Sequence, residues 1–462
     1  MKLRASKNSI IAVLGFSCIF AYTFVFLLEP SIVLNLVPDN PMPLWSYFVF
    51  IIPAHALGLL LCGIFFRSVK DSLMVVNTGS IIILLLFSSL LTTNIHLQQL
   101  ALILSGFVSG LMIASAGNYL RYSLVKDNYM VLSAIALIAT NGIFGVIRLL
   151  AVYFNSATAL TFMIVLFTIG ARMVTNLGVF EIKETAHHGS PIKPLVTLFL
   201  FILIVSINTT LFQEYIYSTE YIDPQLSLIS YMLIYIGVII LMLFVTKRNF
   251  FRGYLLLAIA LITLSTVLIG LIEYSFPLIY IVYILVIVAT GLFDLFWFSI
   301  LAQVIEYSRN PPATFGFGIL ARVIGKIAGL LLATSMTNLK LIETQVEIFL
   351  LMMVILNLFL LPTLHVQLSQ IIENNSFLIH FGKEKSQAVP EKTLIESNLL
   401  TIRESEILNL ILAGKSNKQI ASELFISEST VKSHLSSIYS KYNVNSRAEI
   451  ISSFIKQDDN KS

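Results

Sequence analysis

Twelve long apolar stretches constrain this chain more than any other feature. The hydrocarbon layer is about 30 Å thick and a helix rises about 1.5 Å per residue, so about 20 mostly apolar residues make one crossing. By that ruler the spans fall at 9–28, 44–66, 72–92, 99–119, 129–153, 156–178, 195–213, 225–245, 254–272, 278–305, 315–336 and 345–363. Short breaks with turn residues separate them, such as Pro38-Asp39-Asn40-Pro41 and Asn310-Pro311-Pro312. Of the 462 residues, 57% are hydrophobic and only 12% charged, against about 45–50% apolar and about 25% charged in soluble domains. Too little polar surface remains for a soluble enzyme over most of the length. Cys18 and Cys62 both lie in apolar runs, which excludes a disulfide framework and a cysteine-based metal site. Lys2, Arg4 and Lys7 precede the first stretch, which is long and lacks a small-residue cleavage site, so it reads as an uncleaved span.

Basic residues set the expected orientation. They occur at the start and in alternate loops: Arg67 and Lys70, Arg121 and Lys126, Lys183 and Lys193, then Lys247, Arg248, Arg252 and Arg309. The intervening loops 29–43, 94–98, 214–224 and 273–277 carry no Lys or Arg, and the last, 337–344, carries only Lys340. An even span number with this bias places both termini in the cytoplasm and the chain in a bacterial inner membrane.

The longest internal loop, Glu181 to Pro194, divides six spans from six. The fifth span holds Phe144-Gly145-Val146-Ile147-Arg148 and the eleventh holds Phe317-Gly318-Ile319-Leu320-Ala321-Arg322, a faint internal echo. This 6+6 layout resembles the major facilitator superfamily of transporters, whose halves are pseudo-repeats around a midplane cavity. Of the loop signature that follows the second span in that family, Gly63, Arg67 and Lys70 remain, while its acidic residue and second glycine are missing. The resemblance covers about residues 1–363 and is one of layout.

Ionisable residues at membrane depth are costly and mark candidate functional positions. Asp294 and Lys326 each lie about 16 Å in from the cytoplasmic ends of the tenth and eleventh spans, and Arg322 shares the Lys326 face one turn earlier. Asp294 is expected to pair with Lys326 or Arg322, either as a structural ion pair or as the polar floor of a ligand site. Trp297, one turn beyond Asp294, is placed to stack on a ring-shaped ligand, although aromatic residues at this spacing also serve as core. Arg148 and Arg172 are weaker candidates, with Arg148 near an outer span end. His55 reads as a hydrogen-bonded core histidine, and His187-His188 lies in a polar loop. No phosphate-cradling glycine loop, nucleophile–base pair or metal set is present, so neither an enzyme nor a cofactor is expected.

Composition changes sharply after Pro362. Residues 364–397 are polar and mixed, with Pro390, and read as a cytoplasmic linker, helical at first through Leu368, Ile371 and Ile372. That is far short of a typical domain of about 100 residues. From 398 on, caps and periodicity give four short helices. Thr401 with Glu404 opens the first, whose apolar face is Ile407, Leu408, Ile411 and Leu412, and Gly414 ends it. Ser416 with Gln419 opens the second, Asn417 to Leu424. Ser427 caps the third, with Val431, Leu435, Ile438 and Tyr439 inward; Ser446 with Glu449 opens the fourth, Arg447 to about Ile455. Two short helices joined by the turn Phe425-Ile426-Ser427 make a helix-turn-helix. The third helix offers Ser429, Thr430, Lys432, Ser433, Ser436 and Ser437 on its polar face, small hydroxyls and one cation suited to phosphates and base edges.

Four segments carry a resemblance: Leu400-Thr401-x-Arg403-Glu404, Gly414-x-Ser416-Asn417-Lys418-Gln419-Ile420-Ala421, Ser427-x-x-Thr430-Val431-Lys432-Ser433-His434-Leu435 and Lys441-Tyr442-x-Val444-x-Ser446-Arg447-Ala448-Glu449. Residues 399–456 resemble, without a gap, the LuxR/GerE/NarL-type DNA-binding domain. The resemblance implies that the third helix reads double-stranded DNA and that the fourth dimerises. It also implies that Lys432, Ser433 and Ser436 face bases while Thr430 and Lys441 approach phosphates. Family members often carry a basic residue where Ser436 stands. From residue 398 on, six Lys and two Arg against five Glu and two Asp leave a net charge of only +1. Strong non-specific DNA binding is therefore not expected, and pairing of two tails would compensate through effective concentration.

The expected fold class is all-α. It consists of a polytopic twelve-span bundle with 6+6 layout (1–363), a linker (364–397) and a small four-helix helix-turn-helix domain (398–462). The expected function is a membrane-bound one-component transcriptional regulator. Its bundle takes a small-molecule or membrane signal, and its partners are promoter DNA, lipid, a second copy of the chain and RNA polymerase. The alternative is a secondary transporter carrying a regulatory DNA-binding tail.

Overall fold

The computed structural model describes residues 7–28, 32–33, 47–90, 92, 94–123, 129–178, 192–217, 224–245, 251–269, 276–308, 310–339, 343–384, 400–412, 414–424, 426–442, 444, 446–447 and 449–451. Every regular element among them is helical. Hydrocarbon offers no partner to a backbone amide, and a helix satisfies its amides within one segment. The apolar helices are α1 (Lys7–Leu28), α2 (Ile52–Phe65), α3 (Val69–Ser89), α4 (Ile95–Ser123), α5 (Tyr129–Tyr153) and α6 (Ser156–Thr175). They continue with α7 (Ile192–Tyr217), α8 (Pro224–Val245), α9 (Phe251–Ile269), α10 (Phe276–Tyr307), α11 (Pro311–Asn338) and α12 (Glu343–Glu384). Among the described residues nine helices are long and apolar enough to cross a membrane, and shorter apolar helices occupy Val49–Phe65, Ile229–Val245 and Leu255–Ile269. Each of these twelve overlaps one of the twelve spans read from the sequence.

The chain divides into two compact units, one of Met1–Ile182 with Ile192–Leu364 and the other of Lys183–Pro191 with His365–Ser462. α12 carries Pro362 in its interior and continues to Glu384, so the first part of the expected linker is helix. Residues 385–399 lie outside the described residues, as does His187-His188.

Local caps explain where several helices begin. Ser68 and Asp71 form a reciprocal capping box at α3. Asn155 accepts from the Thr158 amide at α6, and Asn310 accepts from the Ala313 amide at α11, whose first positions are Pro311 and Pro312.

With lipid as apolar as the helices themselves, packing relies on small residues that let backbones approach. On α2 and α4, Gly58 and Gly110 face each other so closely that a Cβ on either would run into the opposite backbone. Gly325 does the same on α11, where a Cβ would stand 2.5 Å from Ser206 Cβ of α7. α11 also meets the other half of the bundle: a Cβ on Gly63, in the last turn of α2, would lie 2.5 Å from Ala313 Cα and Cβ. Two polar contacts reinforce that seam. Asn310 Nδ2 donates to the Gly63 carbonyl at 2.6 Å, and Arg121 Nη1 donates to the Ser308 carbonyl at 3.2 Å. The bundle is therefore closed at the end where α2 stops and α11 starts.

Gly63→Val forces a three-carbon isopropyl group into that seam. The substitution is expected to cost about 1–3 kcal/mol, read as a lowered Tm of the purified full chain.

Candidate nucleic-acid interface and buried polar network

In the second unit, α13 (Ile402–Leu412), α14 (Asn417–Glu423) and α15 (Glu428–Lys441) enclose a core of Ile407, Ile411, Ile420, Val431, Ile438 and Ile450, all fully buried. At the start of α13 the Glu404 carboxylate accepts from the Thr401 amide at 2.8 Å, and the Glu404 amide donates to Thr401 Oγ1 at 3.3 Å. α13 ends on Gly414, whose φ of +83° is a left-handed conformation that favours glycine. There the Lys415 amide reaches the Leu410 carbonyl and the Gly414 amide reaches the Ile411 carbonyl, as in a Schellman cap. Ser416 and Gln419 form a capping box at α14, and Ser427 caps α15. The expected fourth helix lies largely outside the described residues, but Ile450 and Ile451 belong to the core.

α15 turns Val431, Leu435 and Ile438 inward, which leaves Thr430, Lys432, Ser433 and Ser436 exposed on the opposite face. The Thr430 hydroxyl lies 2.7 Å from the capping Ser427 Oγ, so this residue also closes the helix N-terminus. Lys441 occupies a different setting. Its ammonium pairs with Glu404 at 2.5 Å, and Ser437 Oγ donates to the same carboxylate at 2.6 Å. These donors, the Lys441 ammonium first, hold the Glu404 carboxyl at about 2, well below its ordinary 4.5. Glu404 thus ties the first helix to the end of the third. Arg447 makes a second tie, donating to the Lys415 carbonyl at 2.5 Å and to Asn417 Oδ1 at 3.2 Å. Arg403 donates to Glu406 and to the Leu424 carbonyl, both at 2.7 Å. Sequence reasoning placed Glu404 only in a cap; its reach to α15 depends on tertiary packing.

In the first unit, Asp294 of α10 is buried and holds donors from three side chains. Arg322 Nη2 of α11 lies 2.7 Å from Oδ1 and 2.9 Å from Oδ2. Tyr235 Oη of α8 donates at 3.0 Å, and Trp297 Nε1 at 2.9 Å. Arg322 Nη1 continues to Ser206 Oγ of α7 at 3.1 Å, so four helices are joined through one carboxylate. Among the described residues Arg322, and not Lys326, makes the ion pair; the Lys326 ammonium stands 6.0 Å from the Phe24 ring centre. Trp297 is buried, with its ring 6.0 Å from the Arg322 guanidinium carbon, so it forms part of the network itself. Tyr235 and Ser206 escaped the sequence reading because a lone hydroxyl in an apolar span has no distinctive spacing. His55 is buried and bonds Ser109 Oγ through Nδ1 at 2.9 Å.

Residues 398–454 match the family of bacterial regulatory proteins, luxR family. The spore germination protein GerE of Bacillus subtilis is 44% identical over 61 residues, which cover 13% of this chain and 82% of that protein. Through this segment the chain belongs to the luxR family. The CsgBAC operon transcriptional regulatory protein of Escherichia coli is 53% identical over 57 residues, 12% of this chain and 26% of that one. This chain thus spans about a quarter of the length of the first operon regulators it matches. Over the helical bundle the likeness is to transporters. The human organic anion transporter MFSD10 superposes with a TM-score of 0.59 at 11% identity, covering 77% of this chain and 98% of that one. The major facilitator superfamily transporter FucP, in its outward conformation, gives 0.55 at 13% identity, covering 77% and 99%. At such identities the likeness shows the fold: a multi-pass bundle of the major facilitator type joined to a luxR-family DNA-binding domain.

Two outcomes test these networks. Arg322→Met alone strands a buried carboxylate and is expected to cost about 3–5 kcal/mol, whereas Asp294→Asn with Arg322→Met recovers much of that loss. Both variants are read from thermal unfolding of the full chain. In a fragment carrying residues 398–462, the depressed Glu404 value stabilises the fold fully above about pH 4.5, and that contribution fades as pH falls towards 2. Urea unfolding between pH 7 and pH 2.5 reads this, and Glu404→Gln is expected to flatten the dependence.

Proposed function

We propose that this chain is a membrane-embedded one-component transcriptional regulator. In this reading the major-facilitator-type bundle receives a signal, and the luxR-family tail acts on promoter DNA from the cytoplasmic side of the bacterial inner membrane. The observation that carries the reading is the unbroken luxR-family segment at residues 398–454 on a chain whose remaining length supplies helices for crossing a membrane. The bundle then stands where other regulators have a soluble receiver or ligand-binding domain. Domain limits of 1–363, 364–397 and 398–462 follow from the same reading.

On the tail, Lys432, Ser433 and Ser436 face bases, and Thr430 lies beside the helix N-terminus, where phosphate oxygens meet free amides. Lys441 reaches a phosphate at the expense of its Glu404 pair. With so few cations, one tail binds weakly, and two held together by the membrane-bound chains bind well. The seam between α2 and α11 provides the two-state element: a signal that prefers it open shifts the bundle, and pairing of the tails with it. Such a ligand has to bind the open state better, since equal affinity for both states moves nothing.

A transporter that also reports its substrate is the second reading, favoured by the fold of the bundle. Substrate uptake by vesicles holding the chain without residues 364–462 would support it.

Lys432→Ala is expected to lower promoter occupancy about tenfold, equivalent to ~1.4 kcal/mol, with membrane insertion unchanged. Binding of the full chain in nanodiscs to promoter fragments measures this, and unaltered occupancy on every fragment would overturn the assignment.

A further inference from the structure

α3 gives one face to its neighbours and leaves the other open. Ser72, Val75, Val76, Gly79 and Ile83 are buried, and a Cβ on Gly79 would stand 3.0 Å from Met112 of α4. On the opposite side Lys70, Met74, Asn77, Ile81, Leu84 and Ser88 are all exposed. Their steps alternate between four and three residues, the seven-residue repeat by which two helices pack along one seam.

One member of that row does not suit lipid. Asn77 lies about 12 Å into α3, and its short side chain cannot carry the amide back to the headgroups. Among the described residues nothing bonds this carboxamide; the Ser80 hydroxyl donates to the Asn77 backbone carbonyl only. Its polar neighbours on the same face are satisfied, since the Thr78 and Ser88 hydroxyls donate to the Met74 and Leu85 carbonyls at 2.7 Å. The amides of Asn141 in α5 and Asn357 in α12 likewise donate to the carbonyls four residues back, at 2.9 and 3.0 Å. Asn77 makes no such bond, and Met74, Ile81 and Leu84 beside it offer no partner. An amide left unpaired in hydrocarbon is costly, and an amide on a neighbouring helix removes that cost.

A second copy supplies the matching group. Two copies inserted in one membrane share an orientation, so their α3 helices meet in parallel, and about a two-fold axis each position of the seam meets itself. A carboxamide both donates and accepts, which makes Asn77 complementary to its own image. Lys70, at the end of the seam, carries its charge outward to water on its long stem. We propose that α3 is the face on which two copies of this chain pair within the membrane, with the two Asn77 carboxamides bonded to each other. The pairing stands on this geometry alone. Its consequence rests on the regulator reading: joined bundles hold two tails together and raise their effective concentration at DNA.

The test uses the full chain in liposomes of zwitterionic lipid, with Cys18→Ala and Cys62→Ala as background. Lys70→Cys and Ser88→Cys place thiols at the two watery ends of the seam, and Asn176→Cys, at the exposed end of α6, is the control. A short bis-maleimide is expected to link copies through either seam position and not through the control, with a yield that survives dilution by lipid. Asn77→Leu, added to either seam variant, is expected to lower the linked fraction about tenfold, while Asn77→Gln keeps most of it. Asn77→Leu also leaves the Tm of the chain unchanged or higher, because it removes an amide from lipid, so the lost linkage is not a folding failure. No linkage at either seam position, equal linkage at Asn176→Cys, or an undiminished yield with Asn77→Leu would each overturn the proposal. Promoter occupancy is read in parallel. Linkage lost in Asn77→Leu with occupancy unchanged upholds the pairing and counts against membrane-held tails, whereas absent linkage removes the pairing and leaves the regulator reading standing.

Discussion

A peptide amide inside a bilayer has nothing to bond except its own chain, and everything in the larger unit of this protein follows from that. Helices answer the constraint one segment at a time, so the choice of secondary structure is made before any tertiary contact forms. What remains is how helices hold together when burying them gains nothing over lipid. Here the answer is small residues at crossings, as with Gly58 on Gly110 and Gly325 on Ser206, and a few polar contacts that hydrocarbon makes selective. The Asp294 carboxylate is the densest of these contacts. It draws donors from α8, α10 and α11, and through Arg322 it extends to α7.

The smaller unit follows the opposite rule. Water surrounds it, so apolar burial is available, and about ten side chains from short helices make a core. Short helices need help at their ends, because nucleation is costly and four amides per start are unpaired. Thr401, Ser416 and Ser427 supply that help at three successive starts. Glu404 joins cap to tertiary structure, bonding its own helix start and two side chains of the third helix. The same third helix can then present a rigid outer face of small hydroxyls and one free-standing lysine stem.

Both units share a way of using charge. Each holds one carboxylate inside a ring of donors, Asp294 in the bundle and Glu404 in the tail, and each leaves a lysine outside the ring: Lys326 and Lys432. A lysine engaged by a carboxylate is a structural part, as Lys441 is in this state.

Much was legible in the order of residues alone. Twelve spans, the luxR-family tail and the capping residues are local matters of run length, fixed spacing and residue type. Each rests on physics that operates within one segment. Pairing is a different matter. Lys326 and Arg322 lie one turn apart on one face, and sequence offered both to Asp294 on equal terms; only the approach of α10 to α11, with Tyr235 and Ser206 arriving from α8 and α7, selected Arg322. In the same way the cap role of Glu404 was visible, but its hold on Lys441 was not, because the two stand far apart along the chain. Spacing specifies which groups a helix presents, whereas the partner of a charge is settled by which helices meet.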